Sequence, residues 1–135
     1  MIKIIIADDN LIIRQSLKAI LSTANDIELV GEANNGEEAI QLAIDLEPDV
    51  IVMDFSMPEF NGVEAMGWLR KQQVTARILM LTAFKDDALV KKALKHGAAG
   101  YLIKHASAGE LIEAIYAVHQ GQTYFGHGVL EPDNE

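Results

Sequence analysis

Five short apolar runs, each followed by a longer stretch of helical period, restrict this chain more than any other feature. The runs are Lys3–Ala7, Glu28–Ala33, Val50–Asp54, Ile78–Thr82 and Gly100–Lys104. Several are continuous rather than alternating, as expected of strands covered on both faces. Between them, apolar residues return at three- and four-residue intervals. The first stripe is Ile13, Leu17, Ile20 and Leu21. The second is Ala39, Ile40, Ala43 and Ile44, in a segment that stops before Pro48, and the third is Val63, Met66 and Leu69. The fourth segment, about Asp86 to His96, is closed by Gly97, a natural left-handed cap. The fifth starts with Ser107 and has Glu110 three residues on, a capping-box spacing, before Leu111, Ile115 and Val118. This alternation predicts an α/β fold: a single doubly wound, five-stranded parallel sheet with five helices on its two faces.

In such sheets, sites form beyond the carboxyl ends of the strands. The runs deliver Asp8 and Asp9, then Asp54, Thr82 and Lys104 to those ends. Three acids on one rim repel one another unless a cation neutralises them. Oxygen ligands with room for water and phosphate suit Mg²⁺. A lysine opposite the acids supplies a fixed charge for phosphoryl oxygens, and a threonine hydroxyl can donate to another. A central carboxylate can act as a nucleophile and form an acyl phosphate. In "IVMDFSMPEFNG", Pro58 keeps Met57 extended and delays the next helix, leaving a loop whose carbonyls can face a metal; Gly62 lets the chain turn. Taken singly, each residue has a plainer reading. Asp8 or Asp9 could cap a helix, Thr82 could be an ordinary strand residue, and Tyr101 a packed core aromatic. Lys104 could be a surface charge whose stem covers core. Those readings do not predict a shared rim.

Composition narrows the function classes. At 135 residues the chain is one domain, and its net charge of −9 argues against direct grip on nucleic-acid phosphates. There is no cysteine, which removes disulfides and thiolate chemistry. No run is long enough to span a bilayer, and "MIKIIIADD" is too short in apolar residues for a signal peptide, so the expected location is cytoplasmic, with no membrane partner. His96, His105, His119 and His127 share no ligand spacing, so no zinc site is expected.

With Asp8-Asp9, Asp54 in "MDFSMPEFNG", Thr82 in "LMLTA" and Lys104 in "GYLIK", the chain resembles a response-regulator receiver domain of two-component signalling over about residues 2 to 120. The resemblance implies a flavodoxin-like sheet of order 2-1-3-4-5. It implies that Asp54 accepts a phosphoryl group from a sensor histidine kinase or a small phosphodonor. Mg²⁺, with Mn²⁺ as a substitute, would be held by Asp9 directly, Asp8 mostly through water, Asp54, and the backbone carbonyl of Ser56. Thr82 and Lys104 would contact phosphoryl oxygens, and Tyr101 would turn inward with Thr82 as the switch. Output would pass through the fourth helix, fifth strand and fifth helix, including Lys91, Lys92, Lys95 and Tyr116. No organic cofactor is implied, and no enzyme activity beyond self-catalysed phosphotransfer and autodephosphorylation at Asp54.

Four positions add detail. Many relatives carry proline where His105 stands, often after a cis bond, so the Lys104–His105 peptide is an open point. Phe84 should lie at the site mouth, either slowing hydrolysis of the acyl phosphate or packing on the fourth helix. Trp68 falls off its helical stripe, as a partner anchor or as a ring lying over the helix, and Ile12 is a candidate for kinase docking. The stretch "LIKHASAGELIEAIYAVHQGQTYF" resembles receivers that precede a LuxR-type helix-turn-helix output domain. The expected division is a receiver over 1–120 and a linker or tail over 121–135. A homodimer is allowed, and DNA would be reached indirectly, through an output domain absent from this chain.

Three rival functions have specific tests in the sequence. A haloacid-dehalogenase-like phosphohydrolase places an acid two residues after its nucleophile, where Ser56 stands here. A flavin-binding protein needs a hydroxyl-rich phosphate cradle in place of "DDNLIIRQ". An unphosphorylated pseudo-receiver, acting as an interaction module, has no need of the complete rim.

Overall fold

The computed structural model describes residues 1–54, 62–83, 87–104 and 106–126. The expectations for Ser56, Met57, Pro58, Phe84, His105, His127 and the Lys104–His105 peptide lie outside the described residues, as does the side chain of Val63.

Strands and helices alternate as β1 (Ile2–Ala7), α1 (Leu11–Leu21), β2 (Ile27–Ala33), α2 (Gly36–Leu46), β3 (Val50–Asp54) and α3 (Gly62–Lys71). They continue as β4 (Arg77–Thr82), α4 (Asp87–Lys95), β5 (Gly100–Ile103), α5 (Ala108–His119) and β6 (Tyr124–Phe125). All pairings are parallel, in the order β2-β1-β3-β4-β5-β6. The five expected strands thus take the 2-1-3-4-5 arrangement.

Side-chain alternation divides each strand between two cores. Ile5, Ala7, Ile51, Met53, Ile78, Met80 and Tyr101 face one side, where Ala39 and Ala43 of α2, Met66 and Leu69 of α3, and Val90 and Ala93 of α4 cover them. Ile4, Ile6, Val50, Val52, Leu79, Leu81 and Leu102 face the other, beneath Leu17 and Leu21 of α1 and Leu111, Ile115 and Val118 of α5. Every residue of β3 is buried, which explains its unbroken apolar run.

Helix ends follow local chemistry. Asn10 caps α1, its Oδ1 accepting from the backbone N–H of Ile12 (2.9 Å) and Ile13 (3.2 Å). Ser107 caps α5 by accepting from Glu110 N–H at 3.1 Å, the expected capping arrangement. Gly97 has φ +98°, the left-handed geometry that favours glycine after α4.

Two features differ from expectation. Ile44 is 40 % exposed. The Ala39–Ala43 row of α2 faces the sheet, and Ile44 lies a further 100° around the helix, past the edge of the contact. The sheet also gains β6, within the stretch expected to be linker. Tyr124 N–H donates to Ala99 O and Gly126 N–H to Tyr101 O, both at 3.1 Å. Gly100 makes this approach feasible. A Cβ there would lie 2.8 Å from both Leu79 Cδ1 and the Tyr124 carbonyl oxygen. Among the described residues, no helix is long and apolar enough to cross a membrane.

Candidate functional site

Parallel strands place all their carboxyl ends on one rim, so the residues closing β1, β3, β4 and β5 must meet there. Asp8 follows β1 and is fully buried; Asp54 and Thr82 end β3 and β4 and are also buried. Asp9 is exposed. One carboxylate oxygen from each of Asp8, Asp9 and Asp54 lies within 4.8 Å of the others. Lys104, directly after β5, reaches across with Nζ 2.9 Å from Asp8 Oδ2 and 3.0 Å from Asp54 Oδ2. Its own backbone N–H donates to the Thr82 carbonyl at 2.7 Å, which ties the start of the lysine to the end of β4.

Burial opposes the charge on Lys104, but the adjacent Asp8 and Asp54 carboxylates outweigh it and hold the ammonium above its usual range. Among the described residues, the acids outnumber the cation at this rim, three carboxylates around one ammonium. Their donor atoms are all hard oxygens, and the exposed Asp9 leaves the cluster open to water. That set fits a divalent cation that keeps part of its hydration shell. With one end of each carboxylate near the cluster and Lys104 fixed above two of them, the rim can neutralise a metal and a phosphate together.

The aspartate pair has no capping duty, because Asn10 performs it. Instead three polar groups of Asp8 are hydrogen-bonded, while its buried Oδ2 faces the Lys104 ammonium as an ion pair. The Asp8 N–H donates to Ala33 O at 3.0 Å, its Oδ1 accepts from Asn10 N–H at 2.9 Å, and its carbonyl accepts from Arg14 Nη1 at 2.6 Å. Arg14 also pairs through Nε with Glu32 Oε1 at 3.1 Å, and Lys18 joins Glu32 Oε2 at 2.9 Å. Lys18 and Arg14 together hold the Glu32 carboxyl below its usual range against a smaller effect of burial. Sequence reasoning missed Asn10, Arg14 and Glu32. The available signal was Arg14 and Lys18 four residues apart on α1, opposite an acid near the end of β2.

Tyr101 does not line the rim surface; its ring is fully buried in the core beside Val90 and Ala93 of α4. Lys91, Lys92 and Lys95 are exposed on α4, and Tyr116 on α5 donates to Asp26 Oδ1 at 2.6 Å. Trp68 is 48 % exposed, with Lys71 Nζ 5.1 Å from its ring centre, and Ile12 is 71 % exposed beside the acids. His96 Nδ1 lies 2.8 Å from the Lys92 carbonyl within its own helix end, and the described residues hold no histidine metal cluster.

A family profile described as the response regulator receiver domain matches residues 4–116. The chain is 44 % identical over 121 residues to the transcriptional regulatory protein LnrK of Bacillus subtilis (strain 168), covering 90 % of this chain and 55 % of LnrK. It is 39 % identical over 129 residues to the response regulator protein VraR of Staphylococcus aureus (strain NCTC 8325 / PS 47), covering 96 % of this chain and 62 % of VraR. The chain therefore spans little more than half the length of these curated relatives. Its fold is similar to the signal receiver domain of the response regulator NarL from Mycobacterium tuberculosis. That match has a TM-score of 0.86 at 30 % identity and covers 90 % of this chain and 98 % of that one.

Proposed function

Because this chain belongs to the response regulator receiver domain family, we propose that Asp54 is its phosphoacceptor and that phosphorylation there sets the state of a signalling switch. The observation that carries this reading is Lys104 Nζ, held at 2.9 and 3.0 Å between the buried carboxylates of Asp8 and Asp54. A partly buried ammonium so placed is a ready partner for phosphoryl oxygens arriving at Asp54.

One Asp54 oxygen attacks the donor phosphorus and forms the new P–O bond. The bond from phosphorus to the donor's leaving atom breaks, and that atom departs with the electron pair, as acetate oxygen from acetyl phosphate or as nitrogen from a phosphohistidine. Lys104 and the Thr82 hydroxyl receive the oxygens of the transferred group. Mg²⁺, or Mn²⁺ in its place, would neutralise charge between phosphate and acids when bound. Asp8, Asp9 and Asp54 would hold it, with the Ser56 carbonyl as the resemblance implies. Hydrolysis of the acyl phosphate returns Asp54 to its carboxylate, so the chemistry begins and ends on the protein itself.

The readout we assign is Tyr101 with Thr82, transmitted through α4, β5 and α5. Residues 1–120 form the receiver and 121–135 the linker, whose early part includes β6. The phosphodonor is a sensor histidine kinase or a small phosphodonor, the setting is the cytoplasm, a homodimer is allowed, and the controlled output is transcription through a DNA-binding domain. LnrK, a transcriptional regulatory protein by name, supports the last step.

Incubation with Mg²⁺ and acetyl phosphate, read by intact mass, tests the central assignment. One added phosphoryl group is expected, lost in EDTA and in Asp54→Asn. If neither that adduct nor beryllofluoride binding is seen, the chain is a pseudo-receiver that works without phosphorylation.

A further inference from the structure

We propose that Arg14 is a positioning residue for the metal-binding acids, acting through the backbone of Asp8. The inference rests on the reading of Asp8, Asp9 and Asp54 as Mg²⁺ ligands and adds a residue that this reading does not contain.

The argument begins with how the Asp8–Asp9 peptide is held. After β1 ends at Ala7, the chain must turn toward α1, whose Asn10 cap begins two residues later. The Asp8 N–H is fixed to β2 through Ala33 O, and its side chain is fixed between Asn10 N–H and Lys104. The Asp8 carbonyl is the remaining group, and its direction sets the plane of the peptide that carries Asp9. Arg14 Nη1 holds that carbonyl at 2.6 Å, a short, charge-assisted hydrogen bond. The guanidinium is itself immobilised. Its side chain is 13 % exposed, it rises from the second turn of α1, and Nε is paired with Glu32 at the far end of β2. One planar group thus links α1, β2 and the turn after β1, which a lysine ammonium on a flexible stem does not reproduce.

Asp9 is the member of the acid cluster with an exposed side chain, so the turn's backbone has more control over it than packing does. Without Arg14 the Asp8 carbonyl loses its partner, the peptide plane is released, and the Asp9 carboxylate spends less time within reach of Asp8 and Asp54. Residues that orient metal ligands without touching the metal typically change affinity by about 10–100-fold when replaced.

The test is an Mg²⁺ titration of the full chain, followed by the backbone amide resonances of Asp9 and Asn10, with folding checked from the amide dispersion without metal. Arg14→Lys and Arg14→Gln are expected to stay folded and to bind Mg²⁺ about tenfold more weakly or worse, within the range for such residues. Glu32→Gln leaves the arginine present but loosely held and is expected to fall between. Lys18→Gln removes a neighbouring charge from the same network without touching Asp8 and is expected to bind as the unaltered chain does. Should Arg14→Gln fail to fold, Arg14→Lys and Glu32→Gln decide. Unaltered Mg²⁺ affinity in Arg14→Lys overturns the assignment, and so does an equal loss in Lys18→Gln, which would trace the effect to the Glu32 ion-pair network rather than to the Asp8 carbonyl, since losing a nearby positive charge by itself favours the cation. Absence of Mg²⁺ binding by the unaltered chain overturns the metal reading and this inference together. Binding by the unaltered chain with Arg14→Lys unmoved overturns the Arg14 assignment alone.

Discussion

Replacing Lys104 by methionine keeps a long apolar stem but removes the positive charge between two buried carboxylates. Nζ lies 2.9 Å from Asp8 and 3.0 Å from Asp54, whose side chains are 0 % and 4 % exposed. Breaking a buried ion pair by deleting one partner typically costs about 3–5 kcal/mol, mostly the penalty of the charge left behind. Lys104 is itself 14 % exposed and Asp9 opens the cluster to water, so the lower end, about 3 kcal/mol, applies here. An unfolding entropy of about 2.1 cal/mol/K per residue gives about 0.28 kcal/mol/K for 135 residues. The melting temperature of Lys104→Met in EDTA at neutral pH should therefore fall by about 10 °C. One control separates charge from packing: millimolar MgCl₂ should recover part of the loss by supplying positive charge to the same acids. A variant melting within about 2 °C of the unaltered chain in EDTA would refute the reasoning, since the lysine would then contribute no more than an exposed ion pair.

Two further outcomes follow from the geometry. The raised Lys104 pKa implies stability that is fully present below the ordinary lysine range and lost as pH rises through the folded-state value. Alkaline melts should show the unaltered chain losing stability there, and Lys104→Met should lack that loss. Gly100→Ala should force β6 off the sheet, because the new methyl would sit 2.8 Å from the Tyr124 carbonyl oxygen as well as from Leu79. Overpacking of this kind costs about 1–3 kcal/mol, and hydrogen exchange should show the amides of Tyr124 and Gly126 losing protection while those of β3 keep theirs. Equal protection at Tyr124 in the variant would show that the strand absorbs the methyl.

Much of this architecture was legible because its signals are local. The continuous run through Val50–Asp54 announced a strand buried on both faces, Ser107 and Gly97 marked helix ends, and three of the five strand runs ended on a rim residue, Asp54, Thr82 or Lys104. The missed features depend on distant partners. A two-residue strand such as Tyr124–Phe125 has too few positions to show a period, and its place is decided by the missing side chain of Gly100, more than twenty residues earlier. Ile44 satisfied a helical period, but which row of α2 meets the sheet is decided by how closely Ala39 and Ala43 let it approach. Arg14 escaped notice because its chief partner is a backbone carbonyl, an atom every residue has and no sequence pattern distinguishes.

The pairing of β6 with β5 also determines where the chain goes next. Because β6 runs parallel to its neighbour, Gly126 leaves the sheet heading toward the rim that gathers Asp54 and Lys104, not toward the opposite end of the molecule. Whatever is joined beyond residue 126 is leashed from a point whose position is set by five strands rather than by a free hinge at His119. A short leash anchored on one side samples a small volume, so a domain attached there would meet the Asp54 side of the sheet at high effective concentration. Unzipping this two-residue strand would lengthen the leash by several residues at once and so change what such a domain could reach.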